Sequence, residues 1–428
     1  MNSRMPTAVV ISAFAADPRM SSETGIGWMY IKQVARYLLE REYSGEFVII
    51  CNGRSSEAIG PELKAFGDLG LNIIVLGIDV PRMLTFLAKN PQLTRLEYLV
   101  WNAIARSRLR NKFHTADDAV LAQHITFATE MLPTPVTGLK CAAFRVWGPV
   151  GAAGDSNVYN LAPRNKYSRR EARTQRLRDL LSLVAIRTFG SRVDLAVAQN
   201  STVNKRFLKA GIASREFPNV IVSESLRGQA ERIGATPSRG ERPISILCVG
   251  HQIARKRFEV AVAALTAPEL GSATLTFLGK PLPGSPDYLP GIVDDLGVRD
   301  RVYFKGKVPR TAVMKHMVEA DVLVHPSARE GASGVVGEAT AVGLPVVCFA
   351  GTGASSVLSA SGASGIALPA RGASIDDIAR AIVECAALPR EPVECWNEDR
   401  FFDFFASLFE LASDHLFRSS PKRTSEGS

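Results

Sequence analysis

Two glutamates eight positions apart, Glu330 and Glu338, carry the sharpest chemical signal in this 428-residue chain. They lie in the run Val322-Leu-Val-His-Pro-Ser-Ala-Arg-Glu-Gly-Ala-Ser-Gly-Val-Val-Gly-Glu-Ala339. The run reads as a strand ending at His325, a Pro-Ser turn, and small residues leading into a helix. That pattern projects the Glu330 carboxylate from a loop. It also sets the amides around Gly331, Ser333 and Gly334 as a positively polarised cradle for a diphosphate. Glu338, in the first turns of the helix, is placed to meet a ribose. One acid beside the positive charge developing at an anomeric carbon and a second acid for a nucleoside is a sensible division of labour. Taken singly, each glutamate reads as an ordinary loop acid or a solvated helix residue. Spacing, glycine placement and strand context together give the functional reading.

Further candidates lie at other strand ends. In Gly250-His-Gln-Ile-Ala-Arg-Lys-Arg-Phe258, Lys256 can meet phosphate charge, and His251 can donate to the same diphosphate. Three basic residues at a helix start oppose the helix dipole unless an anion neutralises them, although a solvated basic face is the plain alternative. The segment Asp17-Pro-Arg-Met-Ser-Ser-Glu-Thr-Gly-Ile-Gly27 places Gly25 and Gly27 before a helix expected to open at Trp28. Such glycines permit close approach of an anion to the backbone, or they simply make a tight turn. Tyr30 breaks a G-x-G-x-x-G fingerprint. His124 ends a strand, and its position reads equally as a sugar-hydroxyl contact or a buried, hydrogen-bonded imidazole. No G-x-S-x-G, P-loop or H-E-x-x-H pattern occurs, and the residues are silent on a metal.

These residues need loops leading from strands into helices, and the chain supplies them. Short β-branched runs alternate with helical-period segments in both halves, which means right-handed crossovers and mostly parallel sheets. The fold expected is α/β, with two doubly wound, Rossmann-like domains facing a cleft. Their expected extents are 1–227 and 244–396, joined by a Gly/Pro-containing linker at 228–243. A Phe-rich amphipathic helix at 397–417 should pack back on the first domain, ahead of a frayed tail at 418–428. Composition agrees: 46% apolar and 22% charged residues suit a large folded core. Six scattered cysteines without a C-x-x-C pair suggest reduced, buried thiols. The short apolar run at 8–16 reads as a strand rather than a signal peptide, so a cytoplasmic protein is expected. Lys and Arg number 51 against 42 Asp and Glu, giving a pI near 9.3 and attraction to anions. The basic stretch at 164–178 reads either as a solvated helical face or as a contact for anionic lipid.

With these residues in view, the chain resembles the retaining glycosyltransferases of family 4, which have the GT-B fold. The resemblance rests on P-S-x-x-E-G (Pro326 to Gly331), on the Glu330/Glu338 spacing, and on E-A-x-A-x-G-x-P-V-V (Glu338 to Val347). S-E-x-G-I-G-W (Ser22 to Trp28) and W-G-P-V-G (Trp147 to Gly151) look like a bacterial branch that builds surface polysaccharides. The resemblance implies hexose transfer from a UDP- or GDP-linked sugar to a glycan or lipid-linked acceptor, with no nucleic acid as partner. It places Glu330 against the donor sugar, Glu338 on the ribose and Lys256 on the diphosphate, without a bound metal. The family usually has Arg where this chain has His251, and often Pro-Glu where it has Ala354-Ser355-Ser356 after Thr352-Gly353. Two other readings stand beside it: another GT-B enzyme, such as a sugar-nucleotide epimerase or hydrolase, and a non-catalytic basic protein that binds nucleotide or membrane.

Overall fold

Short runs of branched and aromatic residues, bounded by turn signals, form two sheets in a computed structural model. It describes residues 5–20, 22–90, 93–151, 154–224, 226, 228, 232 and 242–419. The first sheet comprises β1 (Ala8–Ala13), β2 (Glu46–Asn52), β3 (Ile73–Ile78), β4 (Ala119–Thr126), β5 (Ala142–Val150), β6 (Leu195–Ala198) and β7 (Ser214–Glu216), in the order β3-β2-β1-β4-β5-β6-β7. The second comprises β8 (Ser245–Val249), β9 (Thr274–Leu278), β10 (Val302–Phe304), β11 (Val322–His325), β12 (Val346–Phe349) and β13 (Gly365–Leu368), in the order β10-β9-β8-β11-β12-β13. Every pairing between these strands is parallel. Helices cover both faces, so central strands are buried throughout and read as apolar runs rather than alternating ones. The order reverses between β1 and β4 in one sheet and between β8 and β11 in the other. Ligand crevices of doubly wound sheets open at such points.

The halves of the chain are interleaved. Val158, Tyr159 and Leu161, from the first half, sit in the core of the second sheet. Arg257, fully buried with φ at 54°, holds them there: its guanidinium donates to the carbonyls of Val158 and Leu161 and to Glu259. Val220 and Val222 pack on the second sheet. The chain then returns through the helix Asp399–Arg418, whose phenylalanines repeat every four residues along one face. Phe401 meets Tyr30, Phe405 meets Tyr37 and Phe409 meets Tyr43 at ring-centroid distances of 5.4–5.9 Å. This is the expected C-terminal helix packed back on the first domain. Within the expected linker, residues 229–231 and 233–241 lie outside those described, as does 420–428 of the expected tail.

Candidate active site

The loop after β11 is fixed from several sides. Ala328 donates to the carbonyl of Arg255 at 2.9 Å and accepts from the amide of Asp155 at 2.9 Å. Asn200 caps the helix Ser201–Lys209 through its side-chain oxygen, and its amide nitrogen reaches the carbonyl of Gly331 at 2.9 Å. A Cβ on Gly353 would stand 2.0 Å from that same carbonyl oxygen, so only glycine fits there. The backbone on either side of Glu330 is therefore set before any substrate arrives.

Glu330 Oε1 is the focus of this loop. Lys256 Nζ lies 2.5 Å from it, Ser327 Oγ donates at 2.8 Å, Arg255 Nη1 is at 3.4 Å and His325 Nε2 at 3.5 Å. Burial acts against ionisation here. The charges of Lys256 and Arg255 and the His325 contact overcome it and hold the Glu330 carboxyl well below the usual carboxylate range. His325 is fully buried, which pushes its pKa down, with the Lys256 charge adding to the shift. The pair is a carboxylate with a cation at its back and a neutral imidazole at its side.

Glu330 and Glu338 line the same cleft, of about 930 Å³, between the two sheets. Gly331 and Gly334 line it too, at the start of the helix Gly334–Ala341. Ser333, at the cap position, turns its hydroxyl to His325 Nε2 at 3.2 Å instead of capping the helix. The helix end thus keeps its partial positive charge facing the cleft. Glu338 is nearly buried, which pushes its carboxyl up against the opposing charge of its partner, Arg310. Among the described residues, no cluster of three or more His, Cys, Asp or Glu could hold a metal ion, and all six cysteines are free.

Other expected residues fall elsewhere. Lys256 stands behind Glu330, itself only 8% exposed. His251 is exposed, outside the cleft lining, with Nδ1 3.4 Å from the carbonyl of Lys280. The first-domain helix begins at Ser22, not Trp28, so Gly25 and Gly27 lie inside its opening turns rather than in a loop ahead of it. Gly25 lines the cleft; Gly27 lets the helix pack against Thr126, where a Cβ would meet Cγ2 at 2.5 Å. His124 does not reach the cleft. It is fully buried, with Nδ1 3.0 Å from Ser12 Oγ and Nε2 2.9 Å from the hydroxyl of Tyr98, and burial pushes its pKa down to about 3. Sequence reasoning missed Arg310 and Arg329, which line the cleft, and Ser327 and Asn200, which brace Glu330. Arg329 and Ser327 adjoin the acid motif and were within reach of it. Arg310 opens the helix Arg310–Glu319 and Asn200 caps the helix Ser201–Lys209, both distant in sequence and with no motif of their own.

Comparison with known proteins follows the same division. Residues 231–397 match the family model of Glycosyl transferases group 1. That span, less than half the chain, carries β8 to β13 and both glutamates. No curated protein matches the sequence. Solved structures match along almost the whole chain. They include α,α-trehalose 6-phosphate synthase from Burkholderia multivorans (13% identity, 98% of this chain and 100% of that one, TM-score 0.57). Sucrose-phosphate synthase from Thermosynechococcus elongatus is another (16%, 96% and 97%, TM-score 0.51). The N-terminal domain of trehalose-6-phosphate phosphatase from Candida albicans is a third (10%, 98% and 95%, TM-score 0.55). At these identities the likeness establishes the two-domain GT-B fold and says nothing of substrate.

Proposed function

We propose that the protein transfers a hexose, with retention at the anomeric carbon, from a UDP- or GDP-linked sugar to a hydroxyl of a glycan or lipid-linked acceptor in bacterial polysaccharide synthesis. One observation carries the reading: Glu330, kept ionised by Lys256, shares a cleft with Glu338 and with the uncapped end of the helix that joins them. In the reaction the bond from the anomeric carbon to the diphosphate breaks and its electron pair leaves with the diphosphate, while the acceptor oxygen forms the new bond and its proton passes to the departing diphosphate oxygen. The departing diphosphate lies at the helix end, with Arg255, Lys256 and Arg329 as counter-charge. The Glu330 carboxylate lies beside the sugar as positive charge develops. Fixed charges in a cleft shielded from water act more strongly than they would in bulk solvent, and they need no reorganisation. Glu338 takes the ribose hydroxyls. In this reading protein cations do the work of a metal.

The helix Lys166–Phe189 supports a lipid-linked acceptor at the inner face of the plasma membrane. Arg169, Arg170, Arg173 and Arg176 are exposed on it beside Leu177, Leu180 and Val184, which are 57, 74 and 64% exposed. Arginines next to bare aliphatic groups suit anionic headgroups above acyl chains. No helix among the described residues is long and apolar enough to cross a membrane.

A thermal-shift screen of UDP, GDP, UDP-glucose and GDP-mannose, followed by assays with and without added glycosides, tests the reading. Stabilisation by one nucleotide is expected, with glycoside-dependent release of that nucleotide. Turnover that ignores the glycoside identifies an epimerase or hydrolase. No stabilisation and no turnover contradicts the reading.

A further inference from the structure

Three carboxylates line the cleft: Glu330, Glu338 and Glu23. Glu330 has Lys256 and Glu338 has Arg310, whereas Glu23 has no ion-pair partner among the described residues. Its position is nonetheless built. Glu23 lies at the start of the helix Ser22–Glu40, and its Oε1 accepts the Phe127 amide at 2.6 Å. Phe127 holds a left-handed backbone, φ 57°, which non-glycine residues adopt at a cost. The preceding Thr126 anchors the loop after β1 by accepting the Ala15 amide at 3.1 Å, and Gly27 packs on the same threonine. The two loops at the reversal of the first sheet thus aim one free acid across the cleft from Glu330.

A second cavity, of about 620 Å³, runs from this point along Phe14, Asn52, Arg54, Glu97 and Phe127, and shares Met20 with the cleft. Aromatic faces alternating with amide, guanidinium and carboxylate groups suit a polyol, which presents both C–H faces and hydroxyls. Phe127, whose amide donates to Glu23, lines this groove, and Met20 joins the groove to the cleft.

We propose that Glu23 is the acceptor-side acid: its carboxylate accepts a hydrogen bond from the incoming sugar hydroxyl and orients that oxygen toward the donor's anomeric carbon. Burial pushes the Glu23 carboxyl's pKa up, with the Phe127 amide opposing the shift, and no cation among the described residues pairs with it, so the position favours a neutral hydroxyl over a phosphorylated or carboxylated group. This rests on the transferase reading above.

The test uses the full chain and the variants E23Q and E23D. Nucleotide release from UDP-glucose and GDP-mannose is followed with methyl glucoside, galactoside and mannoside as acceptor probes, alongside calorimetry with UDP and GDP. E23Q keeps an oxygen for the Phe127 amide but loses the charge. The expected result is at least a tenfold loss of kcat/KM for the glycoside, nucleotide affinity within twofold of the parent, and partial recovery in E23D. Equal kcat/KM in E23Q and parent overturns the inference alone. So does a loss of nucleotide affinity and melting temperature in step with activity, which would make Glu23 a prop for the Phe127 turn. If the parent releases no nucleotide from either donor, the transferase reading falls and takes this inference with it.

Discussion

Lys256 Nζ and Glu330 Oε1 are 2.5 Å apart, on loops that follow the two strands β8 and β11 at the reversal of the second sheet. Neither side chain is more than about a tenth exposed. The fold thus keeps a charged carboxylate in a place where burial alone would neutralise it. Its cation stands beside the end of a helix aimed at the same cleft. Substrate charge enters a field that is already arranged.

Replacing Lys256 with Met should leave Glu330 buried beside Arg255, Ser327 and His325 without its nearest cation. Breaking a buried pair in this way costs about 3–5 kcal/mol, and the remaining partners place the expected loss at the lower end. Denaturant midpoints measure it. In the double variant Lys256→Met/Glu330→Gln much of the loss should return, because the stranded charge is gone. Nucleotide affinity by calorimetry should fall in both.

Gly353→Ala should impair activity without touching a charged residue. Its Cβ would meet the backbone oxygen of Gly331 at 2.0 Å, and a backbone oxygen cannot swing away as a side chain can. The Glu330–Gly331 loop must then move. A misplacement of about 1 Å can cost on the order of a hundredfold in rate. Single-turnover rates should drop by at least tenfold, with the far-ultraviolet circular dichroism unchanged.

Stability should fall between pH 7 and pH 5, partly through His124. Its folded pKa is about 3 against a reference of 6.5, so between these values the unfolded chain binds the proton and the folded one does not. Stability therefore rises with pH across that window. At roughly 1.4 kcal/mol per pH unit below 6.5, the loss from this residue is about 2 kcal/mol at pH 5. Urea midpoints at the two pH values should show a smaller pH dependence in His124→Gln than in the parent. Equal dependence would place the His124 proton elsewhere.

The central strands and the loop acids were legible in the sequence because both depend on local pattern. Apolar runs such as 322–325 are buried on both faces, and glycines beside Glu330 mark a tight turn wherever they occur. The helix Gly53–Asp68 escaped this reading because Gly60, Gly67 and Pro61 look like breakers, although Asn52 caps its start and Ile59 and Leu63 anchor it in the core. Edge strands β7 and β13 were missed because short, partly exposed strands lack a strong apolar signal. His124 shows the opposite limit. A strand-end position does not reveal which way a side chain points, and here the Ser12 and Tyr98 hydroxyls hold it inside. Arg310 reaches Glu338 from a different helix, a relation that exists only once the chain has folded.

The most direct measurement compares Glu330→Gln with the parent in nucleotide release from UDP-glucose and GDP-mannose, with calorimetric nucleotide affinity taken on the same samples. The account predicts a loss of about 10²–10³ in kcat, with nucleotide affinity within a few-fold of the parent. Turnover by the glutamine variant at the parent rate would contradict it.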